Sequence, residues 1–169
     1  EKNISVIKSE IAMRSGTPKK ILLVNSRIDT ARFLPLGIAS LAAYLIEQGH
    51  EVGIWEALPT QTMTLAERVK QFDPDVVGIS AMTSQFAKGL ELAQEVKSSR
   101  SNVPIIFGGV HATSTPRETL LQNSDIDYVC MGEGEYTFTE FLDHLEDKSF
   151  EEIAGLGYQL GNQKDGSGV

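Results

Sequence analysis

Three loops combine small residues with polar side chains, and each follows a short apolar run of the sequence. They are residues 32–37, which end in Gly37, residues 80–83, which begin with Ser80, and residues 108–111, which begin with Gly108-Gly109. Adjacent glycines let the backbone turn tightly and leave no side chain in the way of a ligand. A serine at the end of a strand can donate a hydrogen bond to a ligand or cap the next helix. The loops predict a binding site, and the chemistry that would use the ligand is not evident within the chain.

The sequence shows weaker signs of catalytic residues than of a binding site. Cys130 is the one cysteine, which excludes an internal disulfide and an all-cysteine zinc or iron–sulfur site. It falls in an apolar run, so we interpret it as an inert core thiol. His111 follows the glycine pair and is a candidate ligand contact, whereas His50 is interpreted as structural and His144 as solvated near a helix end. No catalytic residue and no protein metal ligand is predicted.

A fourth segment, Gly132-Glu133-Gly134-Glu135, lies between a predicted strand and a predicted helix. Two glycines near a helix start can shape an anion site. The two carboxylates would repel a phosphate there, and they would also favour the helix N-terminus through its dipole. The segment is not the six-residue dinucleotide fingerprint, and the first strand lacks that fingerprint too. A nicotinamide-dependent dehydrogenase is therefore disfavoured.

Apolar periodicity predicts five strands that alternate with five helices. The predicted strands are 21–24, 51–56, 76–79, 103–107 and 127–131, and the predicted helices are 35–48, 63–72, 84–98, 116–122 and 135–145. This alternation predicts an α/β fold of the flavodoxin-like, Rossmann-type class: a doubly wound, five-stranded parallel sheet of order 2-1-3-4-5 with helices on both faces. The switch point of that order lies between the first and third strands. The loops 32–37 and 80–83 should therefore be neighbours, with the loop 108–111 next to them.

Length and composition limit the classes of protein to consider. The 169 residues suit one domain, which we expect over 19–148, after an N-terminal arm over 1–18. In the tail over 149–169, residues 153–160 predict an edge strand or the start of a new unit. The net charge of −8 disfavours nucleic acid as a partner, and no apolar run reaches the length of a membrane span. A single cysteine and the lack of a secretory signal favour the cytoplasm.

Taken together, the loops resemble the cobalamin (vitamin B12)-binding domain. That family carries Asp-x-His-x-x-Gly after the first strand, Ser-x-Leu after the third and Gly-Gly after the fourth. Here 42 residues separate Gly37 from Ser80 and 25 separate Met82 from Gly108, close to the family's spacing. Counting back from Gly37, the family's aspartate falls on Arg32 and its cobalt-ligating histidine on Leu34. The axial histidine is therefore missing.

A pattern without this histidine resembles the cobalamin-binding domain at the N-terminus of radical S-adenosylmethionine (SAM) enzymes. The segments 35–37, 41–45, 49–52, 75–80, 108–113 and 132–135 carry the likeness. The resemblance implies that the chain binds base-off cobalamin without a protein histidine ligand. It implies a radical SAM domain downstream in the same full-length chain, reached by a linker that begins at 149–169, with a 4Fe-4S cluster and SAM. The full-length protein would then be a methyltransferase, while this chain lacks the cysteines of the radical cluster.

The resemblance also implies which residues contact the cofactor. Phe33 and Leu34 would pack under the corrin ring, and Ser80 and Thr83 would bond its amides or the nucleotide tail. The other predicted cofactor-binding residues are Gly37, Met82, Gly108, Gly109, Val110, His111, Gly132, Glu133 and Gly134.

Two alternatives remain open from the sequence. Loss of the axial histidine also fits a degenerate module that no longer binds cobalamin and serves as an interface for a partner domain. A flavin-binding, flavodoxin-like domain is the weaker alternative, because the first loop lacks a cluster of Ser and Thr to hold a phosphate.

Overall fold

Strands and helices alternate along the chain. The computed structural model describes residues 17–27, 35–58 and 60–159. The strands are β1 (Lys20–Asn25), β2 (Glu51–Glu56), β3 (Val76–Ser80), β4 (Ile105–Gly108), β5 (Tyr128–Cys130) and β6 (Leu156–Tyr158). The helices are α1 (Leu36–Glu47), α2 (Leu65–Phe72), α3 (Phe86–Ser99), α4 (Val110–Ser114), α5 (Pro116–Leu121) and α6 (Gly134–Asp143). A 3-10 turn over Thr83–Gln85 precedes α3.

The sheet has the order β2-β1-β3-β4-β5-β6 within the described ranges. The predicted order 2-1-3-4-5 is confirmed, and its strands pair in parallel. The predicted count of five strands is wrong, because β6 adds a sixth strand antiparallel to β5. The sixth strand has only three residues and contains Gly157, so its apolar pattern is weak. It lies inside the stretch 153–160, for which an edge strand was one of two predictions.

Helices cover both faces of the sheet, as the continuous apolar run of β1 predicts. Leu22 and Val24 belong to the core on the face covered by α2 and α3, together with α4 and α5. Ile21 and Leu23 alternate to the opposite face, where α1 and α6 pack. All four side chains are at most 2% exposed. The site described below lies on the α1 and α6 face.

The buried face of α1 differs from the sequence expectation. The three- and four-residue spacing of Leu36, Ala39, Ala43 and Ile46 predicts that these four residues form the buried face, whereas the buried residues are Ile38, Ala42 and Leu45. Leu36 and Ile46 are exposed. With the half-buried Leu41, the observed face covers three large apolar side chains, whereas the expected face has two, and so it removes more apolar area from water. Side-chain size therefore decides the rotation of this helix, and it places Ile38 against the sheet.

A local hydrogen-bond signal in the sequence explains where helix α2 begins. Thr64 caps α2 by accepting a hydrogen bond from the Glu67 backbone N–H, and the Glu67 carboxylate accepts one from the Thr64 N–H in return.

Helix α4 was not predicted, because its five residues directly follow Gly109 and were interpreted as a loop. None of the helices in the described ranges combines the length and apolarity needed to cross a bilayer.

His50 is buried between α1 and β2 and supports the sheet, consistent with its structural interpretation. Its Nδ1 accepts a hydrogen bond from the Lys19 backbone N–H at 3.2 Å. Burial lowers the pKa of the His50 imidazole, an effect that the nearby Asp143 carboxylate opposes. His50 is therefore held as a neutral hydrogen-bond acceptor at neutral pH.

Candidate functional site

The carboxyl ends of three parallel strands meet at the switch point. The strand register pairs Ser80 with Asn25 on one side and with Gly108 on the other. The backbone continues these pairings into the loops, since Ser26 N donates to Ser80 O at 3.2 Å and Ala81 N donates to Gly108 O at 3.2 Å. The predicted adjacency of the first, third and fourth strand ends is therefore present for the described residues.

A cavity, here called the slot, opens beside these strand ends between α1 and α6. Its empty space is about 680 Å3, including its open mouth. The buried side chains that line it are apolar apart from one thiol: Leu23, Ile38, Ile79, Ile106, Cys130 and Phe138. Ser80, Glu133 and Glu135 also line the slot and are more exposed, so its polar side chains lie toward solvent. The slot is therefore suited to a ligand end that is apolar and is shielded from water.

Several glycines line the slot without being required by the protein's own packing. A Cβ atom at Gly37 would meet nothing within 4 Å, and at Gly108 it would lie 3.7 Å from its nearest neighbour, the Cys130 carbonyl oxygen. At Gly134 the nearest atom would be 3.7 Å away, on Leu41. Because the fold leaves room for a methyl group at each position, glycine there keeps the slot empty. This is the arrangement expected of a cradle that a ligand fills.

Gly109 has a different reason to be glycine. Its φ is +96°, and a Cβ atom would approach the Ala81 carbonyl oxygen to 2.6 Å. An alanine would therefore be strained and would collide with the neighbouring loop. Of the glycine pair, Gly108 opens the slot, whereas Gly109 is required by the close approach of two strand-end loops.

A second cavity, here called the rim cleft, lies above the ends of β1 and β3. It has about 950 Å3 of empty space and shares Gly37, Ile38, Ser80 and Gly109 with the slot. Three exposed apolar side chains line it: Leu36 (71% exposed), Met82 (52%) and Val110 (64%). The rim cleft thus offers an open apolar surface that is continuous with the narrow slot.

Polar contacts hold the walls of the slot in place. Ser40 Oγ donates to Glu135 Oε1 at 2.7 Å, and Tyr44 meets Tyr136 edge to face at 5.8 Å, so both contacts join α1 to α6. Within the described residues the Ser80 hydroxyl makes no hydrogen bond, while its carbonyl accepts from Ser26. The Ser80 hydroxyl is therefore available to a ligand.

The buried wall of the slot is uncharged at neutral pH. Burial, together with the nearby Glu135 carboxylate, raises the pKa of the Cys130 thiol to about 11. A neutral, buried thiol is a poor nucleophile. The interpretation of Cys130 as inert is supported, although its position on the wall of a cavity was not foreseen. Within the described part of the chain, no cluster of three or more His, Cys, Asp or Glu could hold a metal ion.

The predicted site residues divide into three sets. Those that line the slot, the rim cleft or both are Gly37, Ser80, Met82, Gly108, Gly109, Val110, Gly132, Glu133 and Gly134. Thr83 and His111 line neither cavity. The His111 ring stacks on Phe86 with centroids 3.8 Å apart. Phe33 and Leu34 lie outside the described residues.

Sequence reasoning missed the helical side chains that complete the slot. Ile38 and Leu41 of α1 and Phe138 of α6 line it. Glu135 also lines it and was named above only as part of the segment 132–135. The available signal was the spacing of Ile38, Leu41 and Leu45 on one face of α1. That spacing is equally expected of residues that pack in a core, so it did not single out a cavity.

Comparison with known proteins agrees with this geometry. The profile of a family described as B12 binding domain matches residues 30–142. The chain belongs to the B12-binding domain family. The resemblance inferred from the loops is therefore confirmed.

Relatives of this B12-binding domain include several methyltransferases. An uncharacterized methyltransferase of Pyrococcus horikoshii is 39% identical over 129 residues, which are 74% of this chain and 28% of that protein. The cytidylyl-2-hydroxyethylphosphonate methyltransferase of Streptomyces wedmorensis is 30% identical over an alignment of 185 positions, gaps included, which covers 89% of this chain and 34% of that protein. The domain thus spans about a third or less of the length of these curated relatives.

Solved structures share the fold of the domain. The radical S-adenosylmethionine methyltransferase TsrM from Kitasatospora setae, determined with cobalamin and a [4Fe-4S] cluster bound, superposes with a TM-score of 0.74. The match covers 86% of this chain and 28% of that chain at 18% identity. At this identity the likeness establishes the common fold.

Proposed function

We propose that this chain binds cobalamin with its nucleotide tail in the slot and its corrin ring over the rim cleft. The observation that carries the proposal is the set of glycines along the slot whose missing side chains the protein does not fill, above all Gly108. Membership of the B12-binding domain family supports it. The slot and the rim cleft are continuous, as a ligand with a flat ring and a pendant tail requires.

The residues of this chain bind and position the cofactor. The buried apolar side chains around Ile106 and Phe138 shield the base of the tail from water, and the Ser80 hydroxyl is free to donate to it. Leu36, Met82 and Val110 provide apolar contact for the ring. Cobalamin, when bound, supplies a cobalt atom that can carry a methyl group. None of the described residues of this chain is assigned a catalytic step.

We further propose that the lower face of the cobalt has no protein nitrogen ligand. Leu34 occupies the position at which the family places its histidine, and a leucine side chain cannot coordinate a metal. His111, in helix α4, stacks on Phe86 and does not line the rim cleft. The test is an electron paramagnetic resonance spectrum of the bound Co(II) form. We expect cobalt lines without nitrogen splitting; a nitrogen triplet would show that a histidine or the tail base remains coordinated.

The whole protein is proposed to be a radical SAM methyltransferase. Its curated relatives include methyltransferases and magnesium-protoporphyrin IX monomethyl ester cyclases. The matched segment covers 17–34% of these proteins, so room exists for a further domain. A radical SAM domain in the same chain would hold a 4Fe-4S cluster and SAM. Methylation assays of the full-length protein with isotopically labelled SAM would test this proposal.

Cobalamin binding can be tested with the purified chain alone. The chain is mixed with hydroxocobalamin, passed over a desalting column and examined by visible absorbance. We expect close to one corrinoid per chain to elute with the protein. A colourless protein would instead favour the degenerate interaction module, because that alternative predicts the fold without the cofactor.

A further inference from the structure

We propose that the slot selects cobamides by the chemistry of their tail base, favouring an apolar aromatic base over a purine. This inference rests on the proposed function, since it concerns what the slot would hold. Cobalamin carries dimethylbenzimidazole, which has one unsubstituted ring nitrogen and two methyl groups. An adenine base has more ring nitrogens and an exocyclic amino group, and each must find a hydrogen-bond partner once buried.

The buried part of the slot offers few such partners. Among the described residues that line it, the buried side chains are hydrocarbon except for the Cys130 thiol. A thiol is only a weak donor and a weak acceptor. The high pKa of Cys130 keeps it from offering a charge. A purine amino group in this region would therefore find no strong side-chain acceptor.

Three backbone groups beside the slot are committed to the fold. The Ser80 carbonyl accepts from Ser26, and the Gly108 carbonyl accepts from Ala81. The Gly132 N–H donates to Thr113 Oγ1 at 3.0 Å. These groups are thus occupied at the strand ends where a polar base would seek them.

Polar groups lie near the mouth instead. Glu133 is exposed, and Glu135 is half-buried and already accepts from Ser40. Glu133 lies toward solvent, whereas Glu135 lies near Cys130 and is already engaged by the Ser40 hydroxyl. The buried interior of the slot is apolar, so it should bind an apolar aromatic base more tightly than a purine.

The test is equilibrium dialysis of the chain against four corrinoids, each followed by its visible absorbance. The set comprises methylcobalamin, the methyl form of a cobamide with adenine as its base, a cobamide with a phenolic base, and cobinamide, which lacks the nucleotide. We expect the adenine cobamide to bind at least about tenfold more weakly than methylcobalamin, since burying one unpaired polar group costs about that much affinity. The phenolic cobamide should bind at least as tightly as methylcobalamin.

The strength of the bond between base and cobalt favours the opposite order of affinities, which makes the comparison stringent. Dimethylbenzimidazole is the stronger cobalt ligand, so its release from cobalt costs more than the release of adenine. Tighter binding of methylcobalamin must therefore come from the protein. Equal affinity for the benzimidazole and adenine forms would overturn the inference and leave cobalamin binding intact. Failure of all four corrinoids to bind would instead overturn the proposed function, and the inference with it.

Discussion

Replacing Gly108 by alanine adds one methyl group to the wall of the slot and leaves the rest of the protein undisturbed. Gly108 ends β4 on the same face of the sheet as Ile106, and both line the slot. The added Cβ atom would lie 3.7 Å from the Cys130 carbonyl oxygen and 3.9 Å from the Cys130 Cβ atom, which are ordinary contact distances. The free chain should therefore accept the substitution without strain.

The same methyl group should impede a ligand that fills the slot. Inserting a methyl group into a packed interface costs about 1–3 kcal/mol, which corresponds to a loss of affinity of about fivefold to 150-fold. Stability should move the other way. Alanine at a position with an allowed backbone conformation stabilises a fold by about 0.4–1 kcal/mol, because it reduces the freedom of the unfolded chain.

Equilibrium dialysis against cobalamin and urea unfolding of the free chain would measure the two effects. Gly157→Ala is the matched control, since its Cβ atom would lie 3.4 Å from Leu120 on the opposite face of the sheet. We expect Gly157→Ala to bind cobalamin like the original chain. If Gly108→Ala also bound with unchanged affinity while remaining folded, the cofactor tail would not occupy the slot and our steric argument would be wrong.

Three further predictions concern the scaffold around the site. Gly109→Ala should lower the free energy of unfolding by about 2 kcal/mol or more, measured by urea denaturation, because its Cβ atom would be strained and would meet Ala81; a variant as stable as the original would contradict this. The lowered pKa of His50 means that the unfolded chain binds its proton more readily than the folded chain. Stability should therefore fall as the pH decreases below about 6.5, by at most about 1.4 kcal/mol per pH unit from this residue. His50→Asn, which keeps an acceptor for the Lys19 N–H, should reduce that fall between pH 7.5 and 5.5, and an unchanged fall would exclude His50 as its source. Cys130, with its pKa raised to about 11, should resist iodoacetamide in the folded chain at pH 7.5 and react readily in urea, and equal rates would refute the burial of this thiol.

Most of the sheet could be predicted from the sequence because its signals are strong and local. The run Ile21–Val24 is apolar at every position, which indicates a strand covered on both faces, and the structure buries all four side chains. The alternation of strands with helices then restricts the order of the sheet. β6 escaped a firm prediction because a three-residue strand that contains Gly157 is recognisable only when its partner β5 is present.

The candidate site was predicted only in part, for a physical reason. A glycine pair at a strand end is visible in the sequence as a turn that lacks side chains, so Gly108 was found. Ile38 and Phe138 were missed because an apolar side chain on a helix has the same pattern whether it fills a core or lines a cavity. Gly109 was also noticed in the sequence, but the reason that glycine is required there was not. That reason is the close approach of Ala81, which only the tertiary structure reveals.

The central claim is that the empty slot between α1 and α6 receives the tail of cobalamin. A crystal structure of the chain loaded with cobalamin would test it most directly. We predict density for the tail base inside the slot, in contact with Ile106 and Gly108 and detached from cobalt. Density that placed the base on the cobalt atom or in solvent, with the slot left empty, would contradict the account.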